Sequence, residues 1–183
     1  MKSLPDYLAP GLKLLFVGIN PSVHSSRAGH YYANPRNRFW GVLNSAELIP
    51  IPLSPEDDFR VLEFGVGFTD IVKRPTPGVK DLASSEFIDG AIKLREKLLL
   101  YQPTLVCFQG VMVYERYLRF GEGIRRKVGL GLQQEKVGSS SCFVVPNPSP
   151  ANAGFSFHVL VGWYLELKAF LKGKEASDIE PGE

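Results

Sequence analysis

The stretch LKLLFVGINPS, residues 12–22, decides the fold of this chain. Its apolar run ends where Asn20 and Pro21 turn the backbone, as expected for a buried strand that reaches the protein surface. A second turn of the same kind, VVPNPSPAN at residues 144–152, follows the apolar run that ends at Val145. Because the carboxyl ends of parallel strands share one edge of a sheet, the two Asn-Pro turns are predicted to line one crevice.

Strand patterns alternate with helix patterns along the chain. Apolar runs predict four strands, at residues 14–20, 64–71, 104–110 and 141–146. Helical spacing of apolar residues, together with N-cap signals, predicts helices over about 37–47, from Ser54, from Ser84 or Ser85 to about Leu100, through Tyr114 and Leu118, and over Val159 to Leu171. This alternation predicts an α/β fold, a three-layer sandwich whose central, mainly parallel four-stranded sheet carries helices on both faces.

Length and composition indicate one domain. A chain of 183 residues with 44% hydrophobic residues can bury one sizeable core, which we assign to residues 1–172. Residues 173–183 hold four carboxylates against one lysine, lack apolar periodicity and are expected to form a disordered acidic tail. Since that tail carries a charge of −3 and the chain a net +2, residues 1–172 carry +5.

We expect neither a targeting segment nor a membrane span from this sequence. Its first residues do not resemble a signal peptide, and the first apolar run is too short to span a bilayer. Cys107 and Cys142 lie within apolar runs and are expected to be buried thiols, without the spacing of a metal site. We therefore expect a cytoplasmic, monomeric protein, associated with the nucleoid in a bacterium.

Basic residues are spread unevenly. One group falls in the first half of the chain, near the predicted crevice loops, and consists of Arg27, Arg36, Arg38, Lys73, Arg74 and Lys80. A second run, residues 125–127, is expected to lie away from the crevice. Such groups suit either a polyanion or a solvated surface.

The residue types at the strand ends restrict the chemistry. The chain has no Walker pattern, no GxGxxG and no GxSxG, so the usual nucleotide-phosphate and serine-hydrolase motifs are absent from it. The predicted edge instead carries amides and aromatic rings, with one carboxylate: Asn20, Tyr31, Tyr32, Asn34, Asn147, Asn152 and Asp70. Carboxamides and rings suit a flat, neutral ligand that forms hydrogen bonds, such as a nucleobase.

Five segments, in order, carry a family resemblance: GINPS, HYYANPRNRFW, GFTDIVKRPTPGVKDLASSEF, LLLYQPTLVCFQG and VVPNPSPAN. Together they resemble the motifs of the mismatch-specific uracil-DNA and thymine-DNA glycosylases, over about residues 14–172. The resemblance implies a uracil-DNA glycosylase-like fold. It also implies removal of uracil, and in some members thymine or etheno-modified cytosine, from mispairs with guanine in double-stranded DNA, without a metal or cofactor.

The resemblance also implies roles for individual residues. Asn20 would orient the attacking water, since a carboxamide cannot act as a general base. Backbone amides around Ile19 would stabilise the departing uracil anion. Tyr32 would stack on the extruded base, with Ser25 near its C5 edge and Ser22 at the mouth of the pocket.

DNA contacts follow from the same comparison and from charge. The loop after the last strand would enter the duplex, and it contributes Asn147, Ser149, Pro150, Ala151 and Asn152. Arg36, Arg38, Lys73 and Arg74 are the expected phosphate contacts. The loop lacks the bulky wedge or arginine of some members, and Ser22 replaces a common glycine.

Two alternatives stay open at this point. Asp70 occupies a position where relatives often carry an amide or a lysine, and it would either cap a loop or take part in catalysis. The GINPS motif contains no strong general base, so the chain is either a monofunctional glycosylase that initiates base excision repair or a non-catalytic module that binds uracil-containing or damaged nucleic acid.

Overall fold

The computed structural model describes residues 2–179 and contains one five-stranded sheet. The strands are β1 (Leu14–Gly18), β2 (Val66–Asp70), β3 (Leu105–Gln109), β4 (Gly131–Val137) and β5 (Ser140–Val145). Their order in the sheet is β2-β1-β3-β5-β4, and the first four in that order run parallel. The predicted α/β class with a mainly parallel sheet is confirmed.

Helices cover both faces of this sheet. They are α1 (Val23–Ala28), α2 (Phe39–Ser45), α3 (Ser84–Tyr101), α4 (Val111–Gly121) and α5 (Phe157–Ile179), with 3-10 helices at Pro55–Phe64 and Val79–Asp81. Residues of α2 and α5 pack on one face of the strands, and residues of α3 and α4 pack on the other. All residues of β1, β2, β3 and β5 are buried, which explains their nearly continuous apolar sequences.

The predicted count of four strands is wrong by one. Strand β4 pairs antiparallel with β5 through a two-residue turn at Gly138 and Ser139, and it forms one edge of the sheet. Its sequence GLQQEKV is polar because its residues alternate between buried and more exposed positions. A half-exposed edge strand lacks the apolar run by which the other four were found.

The end of the last helix also differs from the prediction. Helix α5 continues to Ile179, so residues 173–179 are helical rather than disordered, while residues 180–183 of the predicted tail lie outside the described residues. Both cysteines are buried free thiols. In the part of the chain that the structure describes, no helix has the length and apolarity needed to cross a membrane.

The order of the strands fixes where a ligand can bind. The chain passes from β1 to β2 on one side and then returns across β1 to β3, so the connections diverge between β1 and β3. In open α/β sheets the crevice at such a point, beyond the carboxyl ends of the strands, is the usual ligand site. Asn20 follows β1, and Gln109 ends β3.

Candidate active site at the carboxyl edge of the sheet

A small cavity lies at this point, and we call it the edge cavity. Its volume is about 170 Å³, below the usual range for a drug-sized ligand and suited to a smaller, flat one. Both Asn-Pro turns line it, through Asn20 and Asn147. The other predicted site residues in its wall are Ile19, Ser22, Ser25, Tyr32, Asp70, Ser149 and Ala151.

The side chain of Asn20 is held in one orientation. Its Nδ2 donates hydrogen bonds to the backbone oxygen of Arg74 and to Oγ1 of Thr76, each at 2.8 Å. A backbone carbonyl can only accept, so this partner establishes which amide atom is the nitrogen. Thr76 in turn donates to the backbone oxygen of Gly78 at 2.9 Å, which leaves Oδ1 of Asn20 as the oriented acceptor of the side chain.

Asp70 is a buried carboxylic acid in the wall of the same cavity. Burial raises the pKa of its carboxyl from the usual 3.8 to about 7, although the nearby Lys73 ammonium opposes the shift. Its Oδ2 has no hydrogen-bond partner among the described residues. A buried carboxylate oxygen without a partner is costly, and in a cavity such a group is typical of functional sites.

Tyr32 combines an unusual backbone conformation with a fixed ring. Its φ angle is +55°, which is rare for a bulky residue and marks local strain. The ring of Phe39 stacks on one face, with centroids 3.8 Å apart and planes at 21°. The hydroxyl donates to Oε1 of Gln109 at 2.7 Å. Because Phe39 covers one face of the Tyr32 ring, a ligand in the edge cavity that stacks on this ring must use the other face.

Ser22 and Ser25 form a small hydroxyl pair in the cavity wall. Ser22 is the N-cap of α1, since its Oγ accepts from the backbone nitrogen of Ser25 at 3.0 Å. The Oγ of Ser25 accepts from the Ser22 hydroxyl at 3.1 Å and from the backbone nitrogen of Ala33 at 3.2 Å. The proton of the Ser25 hydroxyl is then available to a ligand acceptor.

The sequence did not indicate two residues whose side chains form hydrogen bonds in this site. Gln109 is 2% exposed and connects Tyr32 to Tyr164, since its Nε2 donates to the Tyr164 hydroxyl at 3.3 Å. Thr76 holds Asn20. Gln109 could have been found because it is a polar residue at the end of an apolar strand, as Asp70 is. Nothing in the sequence around Thr76 marks it as a site residue.

The loop of residues 147–152 is rigidly braced. Within it, Oδ1 of Asn147 accepts from the backbone nitrogen of Ser149 at 2.8 Å, and Nδ2 of Asn152 donates to the backbone oxygen of Asn147 at 2.9 Å. The guanidinium of Arg38 donates to backbone oxygens of Pro148, Ser149, Asn152 and Phe155. Pro150 and Ala151 are exposed at the tip. Arg38 therefore positions the loop, with its donors directed to carbonyls rather than to solvent.

The other residues that were predicted to contact DNA phosphates differ in whether a carboxylate neutralises their positive charge. Arg74 forms a two-pronged pair with Glu86, at 2.7 and 2.8 Å. Lys73 pairs with Asp6. Arg36 is exposed, and within residues 2–179 it has no carboxylate partner. Of the four, Arg36 has the charge most accessible to a ligand.

The chemistry of this site is that of oriented amides, hydroxyls and one acid. Within residues 2–179, no group of three or more His, Cys, Asp or Glu side chains is placed to hold a metal ion. Asn20 and Asp70 line one cavity with a fixed aromatic ring. Such a set can hold a flat heterocycle and orient a water molecule beside it.

Comparisons with known proteins agree with this architecture. The family model described as the Uracil DNA glycosylase superfamily matches residues 5–166, most of the chain. The fold is also similar to the solution NMR structure of a candidate uracil DNA glycosylase from Methanosarcina acetivorans, with a TM-score of 0.59. That similarity covers 93% of this chain and 98% of the other, with 24% sequence identity, and it bears on the fold alone.

Proposed function

Because the chain belongs to the uracil DNA glycosylase superfamily, we propose that it hydrolyses the N-glycosidic bond of uracil in double-stranded DNA, with a preference for uracil opposite guanine. The observation that carries the proposal is that one cavity contains both an oriented Asn20 amide and a buried Asp70 carboxyl whose Oδ2 has no hydrogen-bond partner among residues 2–179. A carboxyl that only caps a loop, or a pocket that only binds a base, does not require that the Asn20 amide and the Asp70 carboxyl lie in the same cavity.

Asn20 supplies orientation in this mechanism. Its Nδ2 is fixed, so Oδ1 holds the attacking water beside the sugar carbon C1′. A carboxamide does not remove a proton, and the C1′–N1 bond therefore breaks largely before the water attacks. Positioning of this kind contributes several kcal/mol to a rate.

Asp70 supplies a negative charge in this mechanism, whereas the amide of Asn20 is neutral. With a pKa of about 7, its carboxyl is partly ionised at neutral pH. The ionised form stabilises the oxocarbenium-like sugar and accepts the proton of the water as the new bond forms. The uracil leaves as an anion, which backbone amides around Ile19 stabilise.

The base is recognised by stacking and by hydroxyl groups. The free face of Tyr32 stacks on the extruded uracil, and the available proton of Ser25 lies in the wall of the same cavity. Stacking of a base on an aromatic ring is worth about 1–3 kcal/mol. The strained backbone at Tyr32 is consistent with a ring held in place for a ligand.

The proposed preference for guanine mispairs is argued from the loop of residues 147–152. Its exposed tip is Pro150 and Ala151, without a large wedge to replace the extruded base. Extrusion costs on the order of a few kcal/mol and least at a weak pair. An enzyme with a small wedge therefore depends on pairs that open easily, and G·U opens more easily than A·U.

A strand-scission assay tests the proposal. The protein is incubated with end-labelled duplexes that carry G·U, A·U or G·C at one position, and abasic sites are then cleaved with alkali. We expect cleavage of G·U, slower cleavage of A·U and none of G·C. Tight binding of the G·U duplex without cleavage would favour the non-catalytic module, and equal rates on G·U and A·U would contradict the mispair preference.

A further inference from the structure

A group of cations lies along α4 and the segment that follows it, beyond the edge cavity. Arg116, Arg119, Arg125 and Arg126 line a groove of about 370 Å³ that also contains Glu115. We call it the arginine groove. Of this region, residues 125–127 were predicted to lie away from the crevice.

Three of the four arginines keep their charge available. Arg126 is bound by Glu135, whereas Arg116, Arg119 and Arg125 have no carboxylate partner in the described part of the chain. The Arg116 guanidinium lies 5.3 Å from the ring centre of Phe87, and that of Arg119 lies 5.0 Å from Phe120. A contact with an aromatic face orients a guanidinium without neutralising it.

The groove is connected with the edge cavity. Between them lies an apolar cleft of about 400 Å³. Ile19, Gln109 and Asn147 line both the edge cavity and this cleft, and Met112 lines both the cleft and the arginine groove. The cleft thus adjoins the edge cavity at several residues, and it adjoins the arginine groove at Met112, near the start of α4.

The dimensions of α4 suit a nucleic acid strand. With a rise of 1.5 Å per residue, Arg116 and Arg119 lie roughly 8 and 12 Å along the helix from Val111. Phosphates of one DNA strand recur about every 3.4 Å along the duplex axis. Because the two arginines lie at different heights along α4, they can contact phosphates at different positions of one strand.

We propose that the arginine groove binds the phosphates of the DNA strand on one side of the extruded nucleotide. The inference rests on the proposed function, because it takes DNA as the ligand of the edge cavity. Arg119 and Arg125, both exposed, make the contacts, while Arg116 guides the strand from the apolar cleft. The groove then adds phosphate contacts to those of the carboxyl edge, where Lys73 and Arg74 are paired with Asp6 and Glu86.

Binding of an undamaged duplex at several salt concentrations tests the inference. The slope of log K against log salt is negative, and each lost phosphate contact reduces its magnitude by about 0.9, so Arg119→Gln/Arg125→Gln should reduce the magnitude by about two. Arg119→Lys/Arg125→Lys keeps both charges and should retain most of the slope. The control is Lys172→Gln/Lys174→Gln on α5, where Lys172 lines a cavity with Leu14 and Val66 at the opposite edge of the sheet. This control should leave the slope unchanged.

Binding to duplexes that are shortened on one side of the uracil shows on which side the phosphate contact lies. A uracil is put one base pair from either end in turn, and we expect wild type and Arg119→Gln/Arg125→Gln to bind alike on one of the two short duplexes only. A slope within 0.5 of wild type on the long duplex overturns the inference, as does an equal loss on both short duplexes. Excision by the wild-type protein, measured on the same long duplex carrying G·U, tests the proposed function separately.

Discussion

A β-carbon on Gly18 would lie 2.4 Å from Oδ1 of Asp70. The two residues are partners in the register of β1 and β2, at the carboxyl end of both strands. The absence of a side chain at Gly18 thus makes the space that the buried carboxyl occupies. This glycine belongs to the site even though it offers no chemical group.

Replacing Gly18 by alanine should therefore displace the Asp70 carboxyl. We expect Gly18→Ala to lower single-turnover uracil excision at least about tenfold, or about 1.4 kcal/mol. In an Asp70→Ala background the clashing atom is missing, and Gly18→Ala should cost little more. Additive losses in this double-mutant cycle would contradict the relationship. Gly162→Ala, at a helix position with open space around it, is the control for folding.

Substitutions at Asn20 and at its hydrogen-bond partner Thr76 should lower the rate of excision to different degrees. Asn20→Ala removes the oriented oxygen and should lower excision about 100-fold or more, while the G·U duplex is still bound. Thr76→Val removes one of the two anchors of the amide and should lower excision roughly tenfold, since the Arg74 carbonyl still holds Nδ2. Activity of Asn20→Ala within about threefold of wild type would refute the role of the amide.

Protonation of Asp70 should make the rate of excision fall on the acid side of the pH–rate profile, which we call the acid limb. If only the ionised carboxylate helps, the rate rises with pH up to about 7 and then levels off. Asp70→Asn should be slower and should lack this limb, which a pH series of single-turnover rates measures. A retained limb would assign it to another group.

The same carboxyl should make stability depend on pH. Its pKa is raised in the folded state, so between about pH 4 and 7 the folded protein holds a proton that the unfolded chain has lost. Stability from this group is therefore present at low pH and is lost as the pH rises through 7. Relative to wild type, Asp70→Asn should gain unfolding free energy between pH 4 and 8, measured by urea denaturation. No gain would mean that Asp70 is not buried as described.

Tyr32 should act through its free face. Tyr32→Ala should weaken binding of a G·U duplex by about 1–3 kcal/mol and leave binding of an undamaged duplex nearly unchanged. Tyr32→Phe keeps the ring and loses the hydrogen bond to Gln109, so its loss should be smaller. Fluorescence anisotropy with both duplexes measures the difference, and equal losses on both would show a purely structural ring.

Substitutions of Arg36 and Arg74 compare a cation that is unpaired within residues 2–179 with a paired one at the carboxyl edge of the sheet. Arg36→Ala removes an accessible charge and should reduce the magnitude of the salt slope of duplex binding by about 0.9. Arg74→Ala also releases Glu86, its partner at 2.7 Å, and should change the slope less than Arg36→Ala. A larger effect at Arg74 would show that its pair with Glu86 opens on binding.

The sequence by itself determined the layers of this fold and the edge that carries the site. Strands buried on both faces are nearly continuous apolar runs, and each of those four was predicted within a few residues. The Asn-Pro turns brought Asn20 and Asn147 to one cavity because parallel strands end on one edge.

Only the tertiary structure decided which groups are free to act. Asp6 meets Lys73, and Gln109 meets Tyr32, across 67 and 77 positions of the chain, and no local pattern specifies such a contact. Edge strand β4 was missed because its exposed half is polar. Hydrophobic periodicity reports burial along the chain, whereas charge pairing, carboxyl desolvation and the space at Gly18 depend on neighbours that folding brings together.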